Sequence, residues 1–129
     1  MINYPVVDLT IVVPYFFKGG EEVVNDEICS KITSGFIILE SSIYELICRF
    51  EKELGFEVIS TIVNSIRKSQ NIKIVSPCLD TWTKATKYSI FDLSISEQLF
   101  LAYADINNAE PITLNKNILK LRKQLNKEF

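Results

Sequence analysis

Four residues whose side-chain oxygens could bind a metal ion lie where an apolar run ends or a helical pattern begins: Asp8, Glu45, Glu97 and Asn115. In parallel α/β sheets, ligands bind in the crevice outside the carboxyl ends of the strands. If the apolar runs of this chain are parallel strands, these four side chains meet there although the sequence scatters them. A carboxylate cluster without histidine suits a hard divalent cation that prefers oxygen ligands.

The same residues could also have a purely structural role. Ser42-x-x-Glu45 and Ser94-x-x-Glu97 match the capping box, in which the glutamate bonds back to the helix cap. Asn115 is suited to cap the last helix. However, three carboxylates on one sheet edge repel one another by up to about 3 kcal/mol per pair, at roughly 5 Å and an effective dielectric near 20. Because a divalent cation offsets that repulsion, their convergence favours a metal site.

Composition indicates a globular protein, and 129 residues are most simply one domain, residues 1–129. The chain is 47% hydrophobic and 23% charged, which argues against disorder. Its apolar runs are far shorter than the about 20 residues of a membrane span. No basic segment precedes an apolar one at the N-terminus, so we expect no secretory signal, no membrane association and a cytoplasmic location.

The chain has no histidine and three cysteines, Cys29, Cys48 and Cys78, none of them in a Cys-x-x-Cys pair. A structural zinc site is therefore not expected, and the cysteines are interpreted as free thiols. Catalysis by a Cys–His or Ser–His pair is excluded because no histidine is present to act as the base.

The net charge of −2 argues against a protein that coats nucleic acid without sequence preference. It allows an enzyme that binds a few phosphate groups with a local cluster of basic residues. Basic residues gather late in the chain: Lys116, Lys120, Arg122, Lys123 and Lys127. They are candidates for binding an RNA backbone. The alternative is a solvated outer face of the terminal helix, where positive charge complements the helix dipole.

Apolar periodicity predicts strands that alternate with helices. The expected strands cover residues 6–13, 36–39, 72–75 and 111–114. The expected helices cover residues 21–30, 42–54, 57–68, 80–88, 94–107 and 116–127. Asp80 is the expected cap of the fourth helix, and the fifth should be central because it is apolar on more than one side. This order is typical of α/β proteins and predicts a three-layer α/β/α sandwich around a short parallel sheet.

At these residues the chain resembles the PIN-domain nucleases. Residues 6–10 (Val-Val-Asp-Leu-Thr) are similar to the family's opening, an apolar strand followed by Asp, any residue, and Ser, Thr or Asn. Residues 38–46 resemble the second motif, a strand and then a helix that bears Glu. Residues 93–104 resemble the third, an acid leading into an Ala-rich helix, and residues 108–116 the fourth, a strand ending in Thr-x-Asp or Thr-x-Asn. The order and spacing match along nearly the whole chain.

The resemblance implies a Mg²⁺- or Mn²⁺-dependent endoribonuclease that leaves a 5′-phosphate. It implies that Asp8, Glu45 and Glu97 hold the metal, that Thr10 and Thr113 support the site, and that Asn115 binds through water or positions the substrate. Small PIN proteins of this size are commonly the toxins of VapBC toxin–antitoxin pairs. The helical segments of residues 21–68 would then offer an apolar groove to an antitoxin tail or to a second copy of the chain.

Two positions depart from the family pattern, and they keep an alternative open. The third motif usually has Asp where this chain has Glu97, and a side chain longer by one methylene shifts a ligand by about 1 Å, a distance that matters for catalysis. Many members have Asp in place of Asn115. The alternative is a catalytically weak PIN-like module that binds RNA or a protein partner. A nucleotide-binding α/β domain has less support, because Lys18-Gly19-Gly20 is too short for a phosphate-binding loop.

Overall fold

In the computed structural model, which describes residues 4–17 and 26–128, four short strands form one sheet. The strands are β1 (Val6–Val7), β2 (Phe36–Leu39), β3 (Ile72–Val75) and β4 (Pro111–Ile112). Their order across the sheet is β3-β2-β1-β4, and every neighbouring pair is parallel. The carboxyl ends of all four strands therefore lie along one edge.

Seven helices of the described residues surround this sheet. They are α1 (Leu9–Phe17), α2 (Asp26–Ile32), α3 (Glu40–Leu54), α4 (Phe56–Lys68), α5 (Leu79–Ala85), α6 (Ile95–Asn107) and α7 (Lys116–Glu128), with a 3-10 turn at Thr86–Tyr88. In this part of the chain, no helix combines the length and the apolar character needed to cross a membrane. Residues 18–25, which include Lys18-Gly19-Gly20 and the start of the helix predicted over residues 21–30, lie outside the described residues.

The sheet separates two hydrophobic cores, because successive strand residues point to opposite faces. Val6 and Leu39 pack with buried residues of α5, α6 and α7. Val7 and Ile38 pack on the other face with buried residues of α1, α2, α3 and α4. Four consecutive residues of α6, at positions 99–102, are buried, as expected of a central helix. The predicted three-layer α/β/α sandwich with a short parallel sheet is confirmed.

The prediction of a strand over residues 6–13 was wrong beyond Val7. Its β-branched residues Ile11 and Val12 are buried in α1 rather than in the sheet. Asp8 begins this helix: its main-chain oxygen accepts hydrogen bonds from the amides of Ile11 and Val12, at 3.1 and 3.2 Å. The helix cap and the burial of the apolar face outweigh the modest strand preference of these residues.

Smaller differences concern the ends of elements. α3 begins at Glu40, so Ser42 lies inside the helix, and the predicted capping box with Glu45 does not form. Cys78, not Asp80, precedes α5. Strand β4 ends at Ile112 rather than residue 114, because Thr113 turns its side chain to Asp8. Leu119 belongs to the apolar pattern from which the helix over residues 116–127 was predicted, yet its side chain is exposed.

Candidate active site

A small pocket lies at the carboxyl edge of the sheet, where the sequence predicted that the acids would meet. It is lined by Asp8, Leu9, Thr10, Glu45, Arg49, Ser96, Glu97 and Asn115. The structure therefore brings all four candidate residues together, although they come from four separate segments. The pocket has a volume of about 20 Å³, room for about one water molecule or ion.

Asp8 lies at the junction of β1 and α1 and is buried. Its Oδ1 accepts hydrogen bonds from the amide of Thr10 at 3.1 Å and from the Thr10 hydroxyl at 2.5 Å. Its Oδ2 accepts a hydrogen bond from the Thr113 hydroxyl at 2.5 Å. Asp8 thus serves as the N-cap of α1 while its carboxylate is fixed from two sides.

The two threonines connect the end of β1 to the end of β4. Their hydroxyl oxygens are 3.2 Å apart. The amide of Leu114 donates to Thr10 Oγ1 at 2.7 Å, and the amide of Asn115 donates to Thr113 Oγ1 at 2.9 Å. Both residues were predicted to support the site. In the structure, Thr10 lines the pocket and Thr113 is buried against Asp8.

Glu45 lies in the second turn of α3, and both of its oxygens contact other side chains of the pocket. Ser96 Oγ donates a hydrogen bond to Oε2 at 2.6 Å. Arg49 Nη2 lies 3.5 Å from Oε1. Glu45 is mostly buried, with 20% of its side chain exposed, whereas Arg49 is 55% exposed. The pocket therefore contains a cation and a hydroxyl donor that were not predicted from the sequence.

Glu97 and Asn115 both take part in helix caps. Ser94 begins α6, and Glu97 closes a capping box with it: the Glu97 amide donates to Ser94 Oγ at 3.2 Å, and the Ser94 amide donates to Glu97 Oε2 at 3.3 Å. Asn115 Oδ1 accepts from the amides of residues 117 and 118, at 2.9 and 3.2 Å. Both predicted caps are confirmed, and both residues also line the pocket.

The electrostatics of the pocket combine burial with helix dipoles. Burial raises the pKa of Asp8 from 3.8 to about 6. The hydrogen bonds from Thr10 and Thr113 lower this pKa but only partly offset the effect of burial, and the charge of Glu97 raises it slightly. The N-termini of α1, α6 and α7 all face this pocket and bring partial positive charge to it. The pocket lining contains three carboxyl groups and one positive side chain, Arg49. This excess of acidic groups favours the binding of an additional cation.

The donor set fits a hard divalent ion, because it consists of oxygen ligands with an excess of negative charge and room for one ion. Within residues 4–17 and 26–128, however, no three acidic, cysteine or histidine side chains are arranged to hold a metal ion together. In this arrangement Ser96 and Arg49 engage Glu45, and the capping box engages Glu97 with Ser94. Direct ligation by all three acids would require their side chains to converge further than they do here.

Arg49 and Ser96 were missed, although the sequence contains a signal for each. Arg49 follows Glu45 by four residues, the spacing that places two side chains on one helix face. Ser96 is adjacent to Glu97 in the first turn of α6. The helix predicted over residues 42–54 already placed Arg49 on the face of Glu45, whereas Ser96 is linked to Glu45 only by the fold.

The predicted RNA-binding residues divide into two groups. Lys116, Lys120 and Lys123 are exposed on one face of α7, because they follow one another at steps of four and three residues. Helix α7 begins next to Asn115, so this face starts at the pocket. Arg122 points elsewhere: its Nη1 donates to the main-chain oxygen of Pro111 at 3.3 Å. The side chain of Lys127 lies outside the described residues.

Comparison with known proteins supports the fold. No family model matches the sequence, and no curated protein matches it. Among solved structures, the fold is similar to that of VapC20 of Mycobacterium tuberculosis, described as a sarcin-ricin loop cleaving toxin. The TM-score is 0.65 and the identity 10%, and the match covers 81% of this chain and 83% of that chain. With a parallel sheet between two helical layers, the chain has a VapC-like PIN fold.

Proposed function

We propose that this protein is a metal-dependent endoribonuclease and the toxin of a VapBC-type toxin–antitoxin pair, acting in the cytoplasm. One observation carries the proposal. Asp8, Glu45, Glu97 and Asn115 come from four segments that are distant in sequence, and they line one small pocket at the carboxyl edge of a PIN-type sheet. Ligands of open α/β folds bind at this edge.

In this proposal Asp8, Glu45 and Glu97 hold Mg²⁺ or Mn²⁺. When bound, the ion supplies the positive charge that stabilises an attacked phosphate and makes water a better nucleophile. Thr10 and Thr113 fix the Asp8 carboxylate, and Asn115 lies at the start of α7 to position the substrate. A water oxygen bonds to phosphorus and the bond from phosphorus to the 3′ oxygen breaks. The products are a 3′-hydroxyl and a 5′-phosphate.

The direct test is cleavage of a labelled single-stranded RNA with Mn²⁺, and again with excess chelator. We expect products that carry a 5′-phosphate with Mn²⁺ and none with the chelator, because the carboxylates alone cannot stabilise the charge on the phosphate. RNA binding without metal-dependent cleavage would instead favour the weak PIN-like module. If the protein binds neither RNA nor a divalent metal ion, both functions are overturned.

The exposed lysines of α7 are proposed to bind the RNA backbone next to the pocket. Replacing Lys120 and Lys123 with Gln should weaken RNA binding for every sequence tested. It should also reduce the dependence of log Kd on log salt concentration by about 1.4, since each phosphate contact to a single strand contributes about 0.7. Fluorescence anisotropy at several salt concentrations measures both effects.

The matched control replaces Lys68 and Lys84, which are exposed on α4 and α5 and lie outside the pocket and the α7 face. This control makes the same change in net charge, so any effect of total charge appears in both double variants. Equal salt dependence in the two double variants would contradict the proposed contact.

A groove between α3 and α4 is the proposed docking site of the antitoxin. It has a volume of about 210 Å³ and a mainly apolar lining that includes Ile47, Phe56 and Val63. The Phe56 side chain is largely exposed, so it is available to an apolar side chain of a partner. An amphipathic segment of the partner would cover these side chains. A stable dimer of the chain alone that buries Phe56 would assign the groove to a second copy instead.

A further inference from the structure

Arg49 is the only positive side chain that lines the carboxylate pocket of the described residues. It lies one helical turn after Glu45, and its Nη2 is 3.5 Å from Glu45 Oε1. No part of the proposed metal site requires an arginine. Arg49 would compete with a bound cation for the same carboxylate oxygen atoms. The presence of Arg49 is therefore not explained by a role in holding the ion.

The pairing of Arg49 with Glu45 is loose. A charge-assisted contact between nitrogen and a carboxylate oxygen is usually about 2.7–2.9 Å, shorter than the 3.5 Å here. Arg49 is also more than half exposed, and exposed pairs at this helical spacing contribute little to stability. The guanidinium group can therefore leave Glu45 at little cost and present its other N–H donors to a ligand at the mouth of the pocket.

We propose that Arg49 is a catalytic residue that binds the RNA phosphate undergoing hydrolysis. The inference rests on the proposed nuclease function and adds a role to it. A guanidinium group donates parallel N–H bonds that match two phosphate oxygens, and it keeps its charge at every physiological pH. Glu45 keeps the group beside the pocket, and Arg49 would turn to the phosphate if a bound divalent ion engaged the Glu45 oxygen.

A purely structural Arg49 makes different predictions. If it only formed a helix-surface pair with Glu45, its loss would leave the cleavage rate at saturating Mn²⁺ unchanged. If it only positioned Glu45 for the ion, its loss would weaken metal binding and cleavage together. The proposed role predicts opposite changes, because the ion loses a competitor while the phosphate loses a donor.

The test compares Arg49→Gln and Arg49→Lys with the wild type. Titration with Mn²⁺, followed by electron paramagnetic resonance, measures the affinity for the ion. For Arg49→Gln we expect affinity to rise about three- to tenfold, since a repelling charge is removed from a partly exposed site. At saturating Mn²⁺ and RNA, kcat should fall about 100-fold, the usual loss for one donor to a transition-state oxygen. Arg49→Lys should restore the wild-type Mn²⁺ affinity but only part of kcat, because it keeps the charge and loses the paired donors.

Lys68→Gln is the control for a change of one charge, because Lys68 is exposed in the last turn of α4 and outside the pocket. It should bind Mn²⁺ and cleave RNA as the wild type does. If the wild type cleaves RNA with Mn²⁺ and Arg49→Gln has the same kcat, or loses Mn²⁺ affinity and kcat together, the role of Arg49 is overturned and the nuclease function stands. If the wild type neither binds Mn²⁺ nor cleaves RNA, both proposals fall.

Discussion

Asp8→Asn is expected to reduce Mn²⁺-dependent RNA cleavage by about 1000-fold, because it would remove a negative ligand from the centre of the proposed metal site. Asp8 is the most buried acid of the pocket, and three hydrogen bonds fix its carboxylate. The substitution changes the charge and almost nothing in size. Single-turnover cleavage at saturating Mn²⁺ measures the effect on the chemical step.

The matched control is Asp80→Asn, an exposed acid in the first turn of α5 that lies outside the pocket. It should retain wild-type cleavage. Asp8→Asn should still fold, because the amide oxygen can accept the capping hydrogen bond from the Thr10 amide. Retention of more than a tenth of the wild-type rate by a folded Asp8→Asn variant would contradict the assignment of Asp8 as a metal ligand.

The second large effect concerns stability and pH. In the presence of a chelator, the ionisation of Asp8 should reduce the free energy of unfolding by about 3 kcal/mol in all, between a pH well below 3.8 and a pH well above 6. The pKa of Asp8 is raised from 3.8 to about 6 in the folded protein, mainly by burial. The folded state therefore binds the proton more tightly than the unfolded chain does. The resulting stability is fully present below about pH 3.8 and is lost as the pH rises through about 6.

Urea unfolding of the wild type and of Asp8→Asn at several pH values isolates this effect from the other acids. As the pH rises, the wild type should lose stability relative to the variant, because Asp8 ionises and Asn cannot. At pH 7 without metal, the variant should be at least as stable as the wild type. Adding Mn²⁺ should stabilise only the wild type, since binding to the folded state adds to its stability. A difference that stays constant from pH 4 to pH 7 would contradict the raised pKa.

The alternation of apolar runs with helical patterns was enough to predict the fold class and the edge of the sheet at which the acids meet. Strands β2 and β3 were predicted with their observed bounds, because four residues rich in apolar and β-branched side chains between turn residues are too short for a helix. The capping box at Ser94 and the cap at Asn115 were also predicted, because each depends only on residues that are near in sequence.

The errors arose where tertiary contacts outweigh local preference. Residues 9–13 resemble a strand because they include Ile11, Val12 and Val13, yet they form a helix whose apolar face packs on the sheet. The same local pattern, Ser-x-x-Glu, is a capping box at Ser94 but not at Ser42, because α3 already begins at Glu40, directly after β2. Ser96 belongs to the pocket through its contact with Glu45, and a contact between such distant segments cannot be predicted from one sequence. Arg49, in contrast, shares a helix face with Glu45 and was overlooked.

The bond between Asp8 and Thr113 joins residues 105 positions apart, near opposite ends of the chain. Strand β4 pairs with β1, so this carboxylate gains its second hydroxyl partner only after the last strand has docked beside the first. Until β4 has paired with β1, Asp8 keeps only its two hydrogen bonds from Thr10. The carboxylate of this pocket is therefore fully fixed only once the first and the last strand of the sheet have come together.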